Sequence, residues 1–194
     1  MTKQEIRDRI RRIREEQDET DRLLRSEALV RRMLLLDILE PERVKGKRIS
    51  LFYSHKGEPD IHLLDRLLTG YGAGCFYPVV RGHRIYMAGK PDEERGAGGF
   101  ISGELGIPEP DNHHEEPADM DIVIIPGIAF TEDGHRIGYG KGYYDRYLAG
   151  YAAGKMPVII APVFEFQIVP HIPVGPHDVP VDIIVTEDRI LRIG

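Results

Sequence analysis

The chain has 194 residues, 41% of them hydrophobic, and a formal net charge of −6 at pH 7. That is enough apolar material to bury a sizeable core, expected as one domain over 1–194, and too acidic for a general nucleic-acid or membrane-surface binder, which carries a broad positive field. One cysteine, Cys75, permits no internal disulfide, and neither a leader-like start nor a run of about 18 apolar residues occurs, so a cytoplasmic protein without a membrane partner is expected.

Residues 3–17 place Ile6, Ile10 and Ile13 at helical spacing among Lys3, Arg7, Arg9, Arg11, Arg12 and Arg14, which predicts a basic amphipathic helix. Lys3, Arg7 and Arg11 fall at i, i+4 and i+8 and share one stripe. Either an anion faces that stripe, or it is a solvated face balanced by Glu15, Glu16, Asp18 and Glu19. A second helix is expected over 21–39, with Leu29, Met33 and Leu36 on its apolar side and Pro41 after its end. RISLFY at 48–53 reads as a strand. The loop 54–60 that follows carries His55, Lys56, Gly57, Glu58 and Asp60 at the strand's C-terminal end, where ligands bind in open α/β sheets. Glu58 and Asp60 are candidates to accept hydrogen bonds from the N–H groups of a heterocycle; the alternative is a solvated loop.

A helix over 61–68, a strand over 74–80 and an antiparallel companion over 84–87 come next. The glycine-rich stretch 89–106, with Lys90, Arg95 and Phe100, is long enough to be either functional or mobile. His113 and His114 stand among acids, and adjacent histidines point apart, so this stretch reads as an exposed acidic loop rather than a metal site. DIVIIPG at 121–127 has the unbroken apolar pattern of a central parallel strand buried on both faces.

That strand leads to the stretch on which function turns, GHRIGYGKGYYDRYLAGY at 134–151. Gly138, Gly140 and Gly142 alternate with Tyr139 and Lys141, Arg136 lies just before them, and a helix is expected from near Tyr143, with Tyr144, Tyr147, Leu148 and Tyr151 on its apolar side. Peptides lacking a Cβ can bring several N–H groups to one anion, and the helix start and the two cations add positive potential. Asp145 follows in the first helical turn. A carboxylate beside a polyphosphate repels it unless a divalent cation lies between them, so nucleotide with magnesium is the favoured reading over a tight turn with a dipole-complementing acid. Beyond it, 157–163 repeats the buried-strand pattern, and 181–186 is expected as the last strand. His177 and Asp178 precede that strand as a cap or a second metal carboxylate; the residues alone favour the cap.

Taken together, PGIAFTEDGHRIGYGKGYYDRYL, the KGEPD and GIPEP segments, PHDVPVD, and Lys3 with Arg7 in the first helix resemble the 5-formyltetrahydrofolate cyclo-ligase family over the whole chain. The resemblance implies an ATP- and magnesium-dependent ligase that closes 5-formyltetrahydrofolate to 5,10-methenyltetrahydrofolate by phosphorylating the formyl oxygen for attack by N10. Position by position, it implies phosphate contacts from Lys3, Arg7, Gly134, Arg136, Gly138, Tyr139, Gly140, Lys141, Gly142, Tyr143 and Tyr144. Arg136 and Lys141 would stabilise the transferring group, Asp145 and Asp178 would hold Mg2+, and His55, Tyr144 and either Glu58 or Asp60 would face the reduced folate. The chain departs from the family pattern at Ile61, where Thr is common, and at Tyr77, where Leu is common. The expected architecture is a Rossmann-like three-layer α/β sandwich with a mainly parallel sheet and the N-terminal helices alongside, acting as a monomer. The rival readings are a non-catalytic nucleotide or phosphometabolite-binding module, and a metal-dependent hydrolase using His113, His114 and His177.

Overall fold

Along the central strands, successive residues bury on opposite faces, which requires cover on both sides of the sheet. Ile122 and Ile124 enter one apolar cluster while Val123 and Ile125 enter another; Ile160 lies opposite Ile159 and Ala161, and Ile183 and Val185 lie opposite Ile184. The computed structural model describes residues 1–91, 99–111, 115–116, 119–152 and 154–194. The expectations about Arg95, His113 and His114 fall outside these residues.

Helix α1 (Lys3–Glu15) starts in a reciprocal cap, in which Thr2 Oγ1 accepts the Glu5 N–H at 3.2 Å and Glu5 Oε2 accepts the Thr2 N–H at 2.7 Å. Helices α2 (Glu19–Met33), α3 (Pro41–Val44) and α4 (His62–Gly70), strands β1 (Arg48–Ser50), β2 (Gly74–Arg81) and β3 (Arg84–Gly89), and short strands β4 (Phe100–Ser102), β5 (Pro108–Pro110) and β6 (Glu115–Glu116) follow. Strands β7 (Ile122–Ile124), β8 (Ala129–Phe130) and β9 (Arg136–Ile137) lead to helix α5 (Tyr143–Leu148), and strands β10 (Val158–Pro162), β11 (Ile183–Val185) and β12 (Ile190–Arg192) complete the order.

Among the described residues the main sheet has eight strands in the order β12-β11-β10-β7-β1-β2-β3-β6. The five from β11 to β2 are parallel; β12 pairs antiparallel on one side, and β3 followed by β6 pair antiparallel on the other. Leu29, Val30 and Met33 of α2 and Leu64 and Leu68 of α4 cover one face; Leu148 of α5 with Tyr143, Tyr144, Tyr147 and Tyr151 covers the other. The α/β sandwich with a mainly parallel sheet is therefore observed. The chain runs from β1 to β2 in one direction and from β7 through β10 to β11 in the other, so the winding reverses between β1 and β7. In such sheets the crevice outside the strand ends at that reversal is the natural ligand site. No helix among the described residues is long and apolar enough to cross a membrane.

Several boundaries differ from expectation. Helix α2 starts at Glu19 because Asp18 accepts the Asp21 N–H, and it ends at Met33, with residues 37–39 forming a separate 3-10 turn. Strand β11 is followed by β12, and the β8–β9 hairpin, with Phe130 opposite Arg136, stands in front of the glycine loop. Helix α5 has six residues rather than continuing to Tyr151. The two family departures, Ile61 and Tyr77, are both buried in the α2–α4 core, Tyr77 edge-on to Phe100 at 5.1 Å.

Candidate active site

Helix α1 buries only Ile6, Ile10 and Arg14. Two buried isoleucines contribute roughly 3–6 kcal/mol, so polar contacts carry much of the docking of this helix. They form a line. Lys3 Nζ lies 2.6 Å from Asp178 Oδ2, Arg7 Nε donates to the Gly138 carbonyl at 2.9 Å, and Arg14 Nη1 donates to the Tyr139 hydroxyl at 2.9 Å. Arg14 Nη2 also donates to the Gly127 carbonyl just beyond β7. The inward stripe is therefore Lys3, Arg7 and Arg14. Arg11 instead lies 3.7 Å from Asp8 on its own helix.

On the glycine loop, Gly140 and Gly142 have φ of +98° and +65°, left-handed conformations that only glycine adopts without strain. A Cβ on Gly140 would lie 3.6 Å from the Arg7 guanidinium, so the cation sits directly over the loop. Arg136, held by the β8–β9 hairpin, is buried and pairs with Asp145 of α5, Nη2 to Oδ1 at 2.6 Å. Burial pulls the Arg136 pKa down, against the charges of Asp145, Tyr144 and Asp178, and its Nε is buried without a hydrogen-bond partner among the described residues. Burial would raise the Asp178 carboxyl, but the Lys3 hydrogen bond, the Gly175 N–H and the Lys3 and Arg136 charges hold it below its usual range. Lys141 is exposed, and its carbonyl accepts Arg146 Nη2 at 2.7 Å. Gly134 is required by close packing, since a Cβ there would come 2.7 Å from the Val181 carbonyl.

Across the crevice, Glu58 is 3% exposed. Its Oε1 accepts the Tyr139 hydroxyl at 2.5 Å and lies 4.0 Å from Arg14 Nη1, while Oε2 accepts the His55 N–H at 3.0 Å. Burial pushes this carboxyl up, opposed by Arg14, Tyr139 and the His55 N–H. Asp60 points elsewhere. Its Oδ1 accepts both the backbone N–H and the ring Nδ1 of His62, at 2.9 and 2.8 Å, which holds the carboxyl at about 2 against partial burial. A cavity of about 310 Å3, the size of a small-ligand pocket, is lined by Arg14, Gln17, Arg22, His55, Glu58 and Asp60 among others. A larger one of about 690 Å3, lined by Thr131, His135, Glu165, His171 and Arg189, contains none of the expected site residues. Tyr144 abuts Arg136, with the guanidinium 6.0 Å from its ring centre, and its hydroxyl is buried without a partner among the described residues.

The model of the 5-formyltetrahydrofolate cyclo-ligase family matches residues 1–187. The chain belongs to that family. It is 32% identical to the mouse 5-formyltetrahydrofolate cyclo-ligase over 178 residues, covering 86% of this chain and 88% of the mouse protein. The same-named Escherichia coli K12 protein is 30% identical over 77% of this chain and 83% of its own length. The solution structure of Aquifex aeolicus 5,10-methenyltetrahydrofolate synthetase superimposes with a TM-score of 0.81 at 30% identity, over all of this chain and 93% of that one. Membership makes the chain an enzyme of folate chemistry, a ligase.

Within this cyclo-ligase framework, the residues drawn from the sequence fall into two groups. Lys3, Arg7, Gly138, Gly140, Arg136, Asp145 and Asp178 gather on the glycine-loop side; His55, Glu58 and Asp60 line the cavity beyond. The Tyr139 side chain belongs to the second group although its backbone belongs to the first. Arg14 escaped the sequence reading. Its signal was the seven-residue spacing from Arg7, two helical turns along one face.

Proposed function

We propose that the chain converts ATP and 5-formyltetrahydrofolate to 5,10-methenyltetrahydrofolate, ADP and phosphate. An amide-like oxygen cannot leave as oxide, so the terminal phosphoryl group of ATP is transferred to the formyl oxygen. N10 then attacks the activated carbon and loses its proton to solvent, the C–O bond breaks and phosphate departs. The observation that carries this reading is the pair of ion pairs, Lys3 with Asp178 and Arg136 with Asp145, set beside a glycine loop and across from a buried carboxylate. Magnesium–ATP carries both signs, so phosphate oxygens would replace the carboxylates on Arg136 and Lys3, leaving Asp145 and Asp178 to hold the cation.

The donor chemistry fits a hard divalent ion of this kind. Among the described residues no group of three or more His, Cys, Asp or Glu is poised to hold a metal, and Mg2+ characteristically combines one or two carboxylates with substrate phosphates. Asp145 and Asp178 would hold it, and it would neutralise charge on the transferring group. Arg136, Lys141 and Arg7 bind and orient the triphosphate over Gly138 and Gly140, so catalysis is mainly positioning with charge stabilisation. Glu58 accepts N–H donors of the pterin, beside His55. A non-catalytic nucleotide module has no use for a buried carboxylate facing the phosphate loop across a cavity.

The test is to mix the protein with 5-formyltetrahydrofolate, ATP and Mg2+ and follow the near-ultraviolet absorbance of the methenyl product. Growth of the signal that needs all three components is the expected result. A flat trace from folded, ATP-binding protein rejects the reading.

A further inference from the structure

Arg14 has an environment that neither phosphate binding nor helix packing accounts for. It is a cation 4% exposed at the C-terminal end of α1, with its Nε buried and unpartnered among the described residues. Its two terminal nitrogens reach different elements: Nη2 bonds the Gly127 carbonyl after β7, and Nη1 bonds the Tyr139 hydroxyl at 2.9 Å and lies 4.0 Å from Glu58 Oε1. Tyr139 in turn donates to Glu58. The loop bearing Glu58 is also fastened to the same helix turn, since Gln17 Nε2 donates to both the Arg14 and the Gly57 carbonyls at 3.3 Å, and a Cβ on Gly57 would lie 3.0 Å from the Arg14 carbonyl oxygen. One helix therefore touches the glycine loop through Arg7 and the substrate-loop carboxylate through Arg14 and Tyr139.

We propose that Arg14 and Tyr139 are positioning residues for the folate: Arg14 fixes the Tyr139 hydroxyl, and that hydroxyl aims the Glu58 carboxylate into the cavity and ties it to the nucleotide loop. The proposal rests on the cyclo-ligase reading and deepens it. A planar guanidinium can serve the Gly127 carbonyl and the Tyr139 hydroxyl at once, whereas an ammonium is a point charge on a flexible stem. The groups facing Glu58 are Arg14 from α1, Arg22 from α2 through the Glu58 carbonyl at 3.0 Å, His55 from its own loop, and Tyr139 and Tyr144 from the glycine-loop segment. Arg14 and Tyr139 both favour the ionised carboxylate, so removing either raises its pKa and leaves it protonated to a higher pH.

The experiment compares steady-state kinetics of the wild type, Tyr139→Phe and Arg14→Lys across pH, with melting temperatures measured alongside. Tyr139→Phe keeps the ring and deletes only the hydroxyl. It is expected to raise the KM for 5-formyltetrahydrofolate about 10- to 100-fold, the value of a hydrogen bond to a charged group, while moving the KM for ATP far less. The acid limb of its kcat/KM for the folate is expected to shift to higher pH, which lost packing alone does not produce. Arg14→Lys is expected to shift the same limb by a smaller amount. If Tyr139→Phe leaves the folate KM and the acid limb at wild-type values, or moves the two KM values equally, the inference is overturned while the reaction assignment stands. If the wild type forms no methenyl product, both fall together.

Discussion

The glycine-loop side and the Glu58 side of the crevice, proposed to take phosphate and folate, are built on different plans. The first presents cations from α1 and from the glycine-loop segment that are already paired with carboxylates: Asp145 with Arg136, and Asp178 with Lys3 at the partly exposed surface. The second is a hydrogen-bonded cluster of single residues from three segments, in which the buried Arg14 and Glu58 meet the hydroxyl of Tyr139, a residue 38% exposed. On the proposed function, the difference corresponds to two modes of recognition. A polyphosphate would be met by exchange of existing ion-pair partners, whereas a heterocycle would be met by one desolvated acceptor whose orientation is fixed beforehand, because an unpaired buried polar group is expensive.

Substitutions on either side test that contrast. The largest effect is expected from Asp145→Asn, which removes a charge that holds Arg136 and, on the proposed function, would hold the metal. Turnover should fall about 100- to 1,000-fold while the melting temperature and the folate affinity change little, as kinetics, calorimetry and a binding titration would show. Equal loss of ATP and folate binding would mean the two sides are not separate. Next, Glu58→Gln should raise the folate KM about 10- to 100-fold, and Asp60→Asn should raise it far less, since Asp60 is occupied by His62. The reverse order would put the pterin acceptor at Asp60. Gly140→Ala places a side chain at φ +98° and should destabilise the fold by about 1 kcal/mol and weaken ATP more than folate.

The smallest effect is a pH dependence of stability at the Asp60–His62 pair. Asp60 is held at about 2, below its ordinary 3.8, so its contribution is present above pH 3.8 and lost as pH falls toward 2. His62 is raised above 6.5, with the Asp60 hydrogen bond as the main cause, so its contribution is present below 6.5 and lost as pH rises through the raised value. The melting-temperature gap between wild type and Asp60→Asn should therefore be widest between those limits, about 1–3 °C for a partly exposed pair, and narrow on both sides. A gap that is flat across pH would show that Asp60 acts only as a helix-start acceptor.

Much of the fold was legible because the strands buried on both faces, 122–124 and 158–162, read as unbroken apolar runs, and α1 and α4 show helical periodicity. The β4–β5 and β8–β9 hairpins and β12 were not legible, because strands of two or three residues contain too few positions to display a period. Glu58 and Asp60 are indistinguishable as acids two apart in one loop. Lys56 at φ +48° and Gly57 at φ +71° turn the chain there, sending Glu58 inward and leaving Asp60 to His62.

By itself the sequence determined the α/β class, the glycine loop with Arg136 and Asp145, and the cationic first helix, because each is encoded within one stretch by composition, spacing or period. Only the tertiary structure decided which face of that helix turns inward, replacing Arg11 with Arg14, and which oxygen Tyr139 meets. Those are contacts between residues separated by 113 and 81 positions, brought together where the winding reverses between β1 and β7; the helical spacing of Arg14 from Arg7 gives the shared face but not the partners.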